Sequence, residues 1–264
     1  MIGVFDSGLG GLTALRELTS LLPGEDIVYF GDTGRVPYGS KSPETIIRYS
    51  IQDMKFLSSF GIDAALVACG TASSTALPTL KAQFSVPVFG VIDAAAEAAV
   101  SASGSGKIGV IGTATTVRSG AFARSIKALD DKTNVLSVAC PLFVHLVEDG
   151  FTTPGDEVTL AAANRYLAPL RDAGIDTLIL GCTHYPIISW AVEAVLPGVK
   201  LINSGRAAAS KLAEAIGNSA SAQPKKGKIR CYVSDTPDDF EAAAQVFMGD
   251  VQLGHAEFVD ISKY

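Results

Sequence analysis

No stretch of this 264-residue chain approaches the ~18 consecutive apolar residues a membrane helix requires. The amino terminus, "MIGVFDSGLGG", has no basic segment leading into an apolar one, so no secretory leader is expected and the chain reads as cytoplasmic. Cations are in deficit, 21 Lys and Arg against 27 Asp and Glu, and the one basic cluster is "PKKGK" at Pro224 to Lys228. A net charge of −6 with so small a patch gives no footprint for nucleic acid, and the patch reads as a solvated loop. Cysteines number only four and none lies in a CxxC pair; over this length they make no disulfide framework and are expected as free thiols. With three histidines at 145, 184 and 255 and no HExxH, a catalytic metal is not expected. "DSGLGG" at Asp6 to Gly11 fails the GxGxxG spacing, and Asp6 would repel a pyrophosphate; "GSGK" at Gly104 to Lys107 is followed by Ile108 where a phosphate loop needs Ser or Thr. A nicotinamide, flavin or nucleotide cofactor is therefore not expected.

What the chain does have is an apolar fraction of 48%, enough for a globular core, and a regular rhythm. Short apolar runs start at Ile2, Ile27, Ala64, Val86, Lys107, Asn134, Thr177 and Lys200, and longer amphipathic patterns separate them, as at Thr13 to Leu22, Pro43 to Phe60 and from Ala94. Continuous apolar strands alternating with helices predict an α/β fold with mostly parallel sheets covered on both faces. The openings "IGVFDSGLGG" at Ile2 and "IGVIGTATTV" at Ile108 lie 106 residues apart, and two cysteine-bearing strands lie 113 apart. Two similar halves are expected, with "SASGSG" (Ser101 to Gly106) as the linker. A strand in "GKIRCYVSD" from Gly227, after a loop at 218–224, could rejoin either half.

Ligands of such sheets gather at the carboxyl ends of the strands. There stand Asp6-Ser7, Gly31-Asp32, Cys69-Gly70-Thr71, Gly112-Thr113, Cys182-Thr183-His184 and Asn203-Ser204. "ALVACGTASS" and "TLILGCTHYP" each drive an apolar run into a cysteine, and both are followed by residues able to open a helix whose N–H groups would face the sulfur. Either cysteine alone reads as a small buried hydrophobe; the matched pair reads as two thiols over one pocket. Cys140 and Cys231 lack these surroundings and are assigned to packing. Asp6 can cap the following helix or serve a neighbouring thiol. Arg35, in "GDTGRVPYG" (Gly31 to Gly39), suits either a substrate carboxylate or Asp32, and His184 is the histidine placed to touch the chemistry.

Through "GVFDSGLGGLT", "GDTGRVPYG", "ACGTAS", "IGTATTVRSG", "PLFVHLVEDG" and "GCTHYP", nearly the whole chain resembles the cofactor-independent glutamate racemases of the aspartate/glutamate racemase group. The resemblance implies two pseudo-symmetric three-layer α/β domains, 1–97 with 207–264 and 98–206, with the active site in the cleft between them. It implies a two-base racemisation without pyridoxal phosphate, supplying D-glutamate for peptidoglycan, in which Cys69 acts on D-glutamate and Cys182 on L-glutamate. Asp6 would assist Cys69, and His184 would assist Cys182. Asp6, Ser7, Pro37, Tyr38, Gly39, Gly70, Thr71, Thr113, Glu148, Thr183 and His184 would line the substrate, largely through hydroxyls and backbone amides. No cofactor is implied; the partners would be the D/L-glutamate substrate and a second copy of the chain in a homodimer, with neither nucleic acid nor membrane. The chain departs from the family pattern at Gly70, where Asn is usual, so a side-chain amide near the substrate is absent; Gly34 replaces a usual Ala and His145 a usual Pro. The alternatives are racemisation of aspartate or another acid, a decarboxylase of the same superfamily, or a non-catalytic amino-acid binding protein.

Overall fold

The computed structural model describes residues 1–217 and 226–264. The loop expected at 218–224 and the start of the basic cluster, Pro224 and Lys225, lie outside the described residues. In chain order the elements are β1 (Ile2–Asp6), α1 (Leu12–Leu21), β2 (Ile27–Gly31), α2 (Pro43–Ser58), β3 (Ala64–Val67), α3 (Gly70–Gln83), β4 (Val88–Gly90) and α4 (Val91–Ala102). A second series follows: β5 (Lys107–Gly112), α5 (Ala114–Ser119), α6 (Ala121–Leu129), β6 (Asn134–Ala139), α7 (Leu142–Glu148), α8 (Glu157–Asp172), β7 (Thr177–Leu180), α9 (Ser189–Val195) and β8 (Lys200–Asn203). The chain closes with α10 (Ser204–Ile216), β9 (Ile229–Val233), α11 (Pro237–Met248) and β10 (Ala256–Phe258).

Two all-parallel sheets result, with orders β10-β9-β2-β1-β3-β4 and β6-β5-β7-β8. The order 2-1-3-4 therefore occurs twice, and this is the structural form of the repeat seen in the sequence. Strands β1, β2, β3 and β7 are buried at every residue, which is why they read as unbroken apolar runs with no alternation. β9 pairs with β2 and β10 with β9, so the chain's end returns to the first sheet. The segment Ser101 to Gly106 is not an extended linker: α4 runs through Ala102, and Asp176 pins the turn by accepting from the Ser103 hydroxyl and from the Gly104 and Ser105 amides at 2.6–2.7 Å.

Local signals place the helices. Ser42 caps α2 by accepting from the Thr45 amide, and Pro43 occupies its first turn. Leu12, Leu15 and Leu18 put one buried stripe on α1, each contributing about 1.5–3 kcal/mol by leaving water. α4 and α10 pack against one another between the sheets. One continuous apolar cluster consequently runs from Ile2 and Leu15 of the first half to Ile108 and Leu178 of the second. This shared core fixes the carboxyl ends of both sheets on either side of one cleft.

Candidate active site

Cys69 and Cys182 each follow the third strand of their own half, β3 and β7, and both line a single cavity of about 610 Å³. Ser7, Pro37, Tyr38, Gly39, Gly70, Thr71, Thr113, Glu148, Thr183 and His184 line it too. The two halves are stitched around it: Thr71 meets Thr113 at 3.0 Å, the Thr115 hydroxyl donates to the Gly39 carbonyl at 2.7 Å, and the Thr13 hydroxyl donates to the Thr183 carbonyl at 2.9 Å. Ten of the eleven expected substrate-lining residues therefore lie on the cavity wall. Asp6 does not; it is fully buried behind it.

The two sulfurs are served differently. Cys69 is the N-cap of α3, accepting from the Ala72 amide at 3.5 Å, while its thiol points to the Ser7 hydroxyl at 3.7 Å. Burial and then the Asp6 charge push its pKa up to about 12, so it is held as a thiol. No helix opens after Cys182, contrary to expectation: Tyr185–Ile188 form a 3₁₀ turn, and α9 begins only at Ser189. The His184 ring takes the place of the missing helix terminus, with Nδ1 3.8 Å from the Cys182 sulfur and Nε2 2.8 Å from Glu148 Oε1. Burial works against a charge on His184, but its bonds to Cys182 and Glu148 prevail and raise it to about 10. Glu148, also opposed by burial, is drawn below the ordinary carboxylate range by the same imidazolium.

Asp6 is not the cap of α1, whose N-cap is Gly11 with no side-chain bond. Its Oδ2 accepts from the Gly8 amide at 3.0 Å and its Oδ1 has no partner. Burial raises its pKa, against the pull of His184 and of backbone amides. Tyr38 lines the cavity as expected, but its hydroxyl bonds to Asp32 and Asp53, so it presents only the remainder of the residue to a ligand. Arg35 is committed to the same buried cluster through Asp32, Gln52 and Asp53 and does not line the cavity. Burial and the Asp32 charge raise the Asp53 carboxyl well above its usual range. Cys140 and Cys231 are buried, as assigned, with thiols pushed up by burial.

One cation on the wall escaped the sequence reading. Arg118 stands on α5, just past the strand-end Thr113, and donates to Thr115 at 3.0 Å. Its spacing of three from Thr115 puts both on one helix face, a signal present in "IGTATTVRSG". Among the described residues no group of three or more His, Cys, Asp or Glu is placed to hold a metal ion.

Residues 10–212 match the family model described as Asp/Glu/Hydantoin racemase. The chain belongs to that racemase family. The glutamate racemase of Geobacter metallireducens is 46% identical over 251 residues, covering 94% of this chain and 92% of that protein. Among solved structures, this racemase is similar to the Francisella tularensis glutamate racemase in complex with D-glutamate, with a TM-score of 0.91, 36% identity and coverage of 100% and 98%. It is also similar to the Thermus thermophilus glutamate racemase in complex with beta-chloro-D-alanine, with a TM-score of 0.87, 42% identity and coverage of 100% and 98%. Against those relatives, the family fold accounts for two lobes and one shared cleft. No helix among the described residues is long and apolar enough to cross a membrane.

Proposed function

We propose that this protein interconverts L- and D-glutamate by proton transfer between Cys69 and Cys182, drawing on no organic cofactor. The observation that carries the reading is the pair of thiols at matching strand ends on one cavity, one held protonated and the other beside an imidazolium. Racemisation needs a base on one face of the α-carbon and an acid on the other, and the two environments divide those roles. From L-glutamate, Cys182 as thiolate, with the His184 Nδ1–H as donor, removes the α-proton; the Cys69 thiol delivers its own to the opposite face. In the reverse direction Cys69 gives up its proton first, and Asp6, buried beside it with a raised pKa, is the group placed to share it. The carbanion is stabilised by the N–H groups that open α3 and by the hydroxyls of Ser7, Thr71 and Thr183. Arg118 on the cavity wall offers its guanidinium to a substrate carboxylate.

In this reading residues 1–97 with 207–264 form one lobe and 98–206 the other; the return of β9 and β10 to the first sheet supports it, and residue 97 falls within α4. The reading carries with it a cytoplasmic homodimer that supplies D-glutamate for peptidoglycan; sedimentation would check the dimer. Circular dichroism of L-glutamate and, separately, D-glutamate with the purified chain tests the activity. Both signals should decay to the same racemic zero with no cofactor added. Unchanged glutamate signals over hours, with L-aspartate decaying instead, would move the substrate to the shorter acid; no decay of either would leave a binding protein.

A further inference from the structure

Asp53 stands on α2, wholly buried and outside the cavity. Its Oδ1 accepts from Arg35 Nη2 at 2.8 Å, and its Oδ2 lies 2.9 Å from the Tyr38 phenol oxygen. Asp32, just past β2, meets the same two residues: Arg35 Nε donates to its two carboxyl oxygens at 2.7 and 2.9 Å, and the Tyr38 hydroxyl donates to its Oδ2. Asp32 also accepts from the Ser234 hydroxyl at 2.7 Å, whereas Asp53 has no donor besides Arg35 and Tyr38 among the described residues.

A phenol has one proton to give, and two carboxyl oxygens stand within reach of the Tyr38 oxygen. One of them has to bring a proton of its own. Asp32 has the donors to hold a negative charge, from Arg35, Ser234 and Tyr38, while the Asp53 Oδ1 has Arg35 alone. Two buried anions here would share the single cation of Arg35, with the Asp6 carboxyl the next acid along. The phenol proton therefore goes to Asp32, and the Asp53 Oδ2–H donates back to the phenol oxygen. Burial and the Asp32 charge act in the same direction, raising the Asp53 carboxyl well above its usual range. What this bond holds is part of the cavity, because residues 36–40 line it without a break. The Thr115 hydroxyl ties that wall to the second half at the Gly39 carbonyl, and the Tyr38 phenol ties it to its own half from beneath.

We infer that Asp53 is a neutral carboxylic acid that donates its own proton to Tyr38, and that through this bond it is a positioning residue for the cavity wall at 36–40. Asp53 touches no substrate, and its effect on substrate binding rests on the racemase reading above. Asparagine at 53 reproduces the neutral acid atom for atom, its amide oxygen accepting from Arg35 and its N–H donating to Tyr38. Were Asp53 ionised, the same change would break a buried ion pair. The groups that face Asp53 are Asp32, Arg35 and Tyr38 of the β2–α2 connection and Asp6 at the end of β1; Tyr49 of α2 packs its ring on Arg35 and Tyr38. A carboxyl raised on folding stabilises the fold fully below its unfolded value, near 3.9, and that contribution is lost as pH rises towards the folded value.

The test compares wild type with Asp53→Asn and Asp53→Ala. The infrared difference between wild type and Asp53→Asn at neutral pH should contain the C=O stretch of a protonated carboxylic acid, present in wild type alone. In urea unfolding from about pH 5 upwards, the folding constant of wild type relative to Asp53→Asn should fall about tenfold per pH unit until Asp53 ionises. In racemisation assays Asp53→Asn should keep the KM for glutamate within about twofold of wild type, and Asp53→Ala should raise it about tenfold while kcat changes less. Tyr38→Phe removes the oxygen that Asp53 holds; it should raise KM by a similar factor, and it carries that comparison should Asp53→Ala fail to fold. No protonated-acid band lost in Asp53→Asn, or a stability difference that does not change with pH, would overturn the neutral acid. A wild-type KM in Asp53→Ala, or in Tyr38→Phe where it stands in, would overturn the positioning role. Absence of glutamate racemisation in wild type would instead overturn the proposed function, with the infrared and unfolding results still deciding the state of Asp53.

Discussion

Replacing Glu148 with glutamine keeps an oxygen near His184 and removes the charge, which isolates what holds the imidazolium. Three influences meet on that ring: burial opposes the charge, and the bonds to Cys182 and to Glu148 favour it, leaving it at about 10. The Glu148 side chain is 38% exposed, so its attraction is screened by water. Coulomb's law across 2.8 Å at the dielectric constant of water gives about 1.5 kcal/mol, or about one pH unit. Loss of a carboxylate lowers a histidine's pKa, so Glu148→Gln should bring His184 from about 10 to about 9. The assay is a titration of histidine ¹⁵N shifts by NMR. Three histidines make the spectrum simple, and His184→Asn assigns the peak. The stability linkage has the matching sign: a raised histidine stabilises the fold below its unfolded value near 6.5, and that contribution is lost as pH rises towards 10. An unmoved or raised His184 in Glu148→Gln would refute the claim that the carboxylate holds the charge.

Tyr38→Phe strips a hydroxyl from Asp32 and Asp53, both wholly buried, and should lower stability by about 1–3 kcal/mol in urea unfolding. Arg35→Met leaves the same carboxylates without their cation and should cost more, about 3–5 kcal/mol in the same measurement. Arg118→Gln should raise the KM for glutamate about tenfold while kcat changes less, measured by polarimetry; a kcat loss with KM unchanged would remove Arg118 from substrate binding.

Strands were legible because parallel, doubly covered strands such as "IVYFG" and "TLIL" are apolar without interruption. The repeat was legible for the same reason, and it put Cys69 and Cys182 at equivalent strand ends. What the sequence could not show was the different neighbourhood of each sulfur. "CGTASS" opens a helix and "CTHYP" does not, because Pro186 lies in the first turn of a 3₁₀ segment and His184 fills the space a helix terminus would occupy. The link from His184 to Glu148 spans 36 residues and exists only once α7 folds back over the cleft. The Tyr38 hydroxyl was expected at the substrate and Arg35 was left open between a substrate carboxylate and Asp32, because a hydroxyl and a guanidinium in a Gly/Pro-rich loop look alike whether they face a ligand or the buried Asp32 and Asp53. Gly70 was visible as a departure from the family pattern, while the neighbour a Cβ there would meet at 2.2 Å, the Gly181 carbonyl oxygen, lies on the other half of the chain.

Single-cysteine variants in deuterium oxide test the two-thiol account most directly. Cys69→Ala should fail to racemise either enantiomer yet still exchange the α-hydrogen of L-glutamate, and Cys182→Ala should exchange only that of D-glutamate. Racemisation by either variant, or exchange of both enantiomers by one of them, would contradict it.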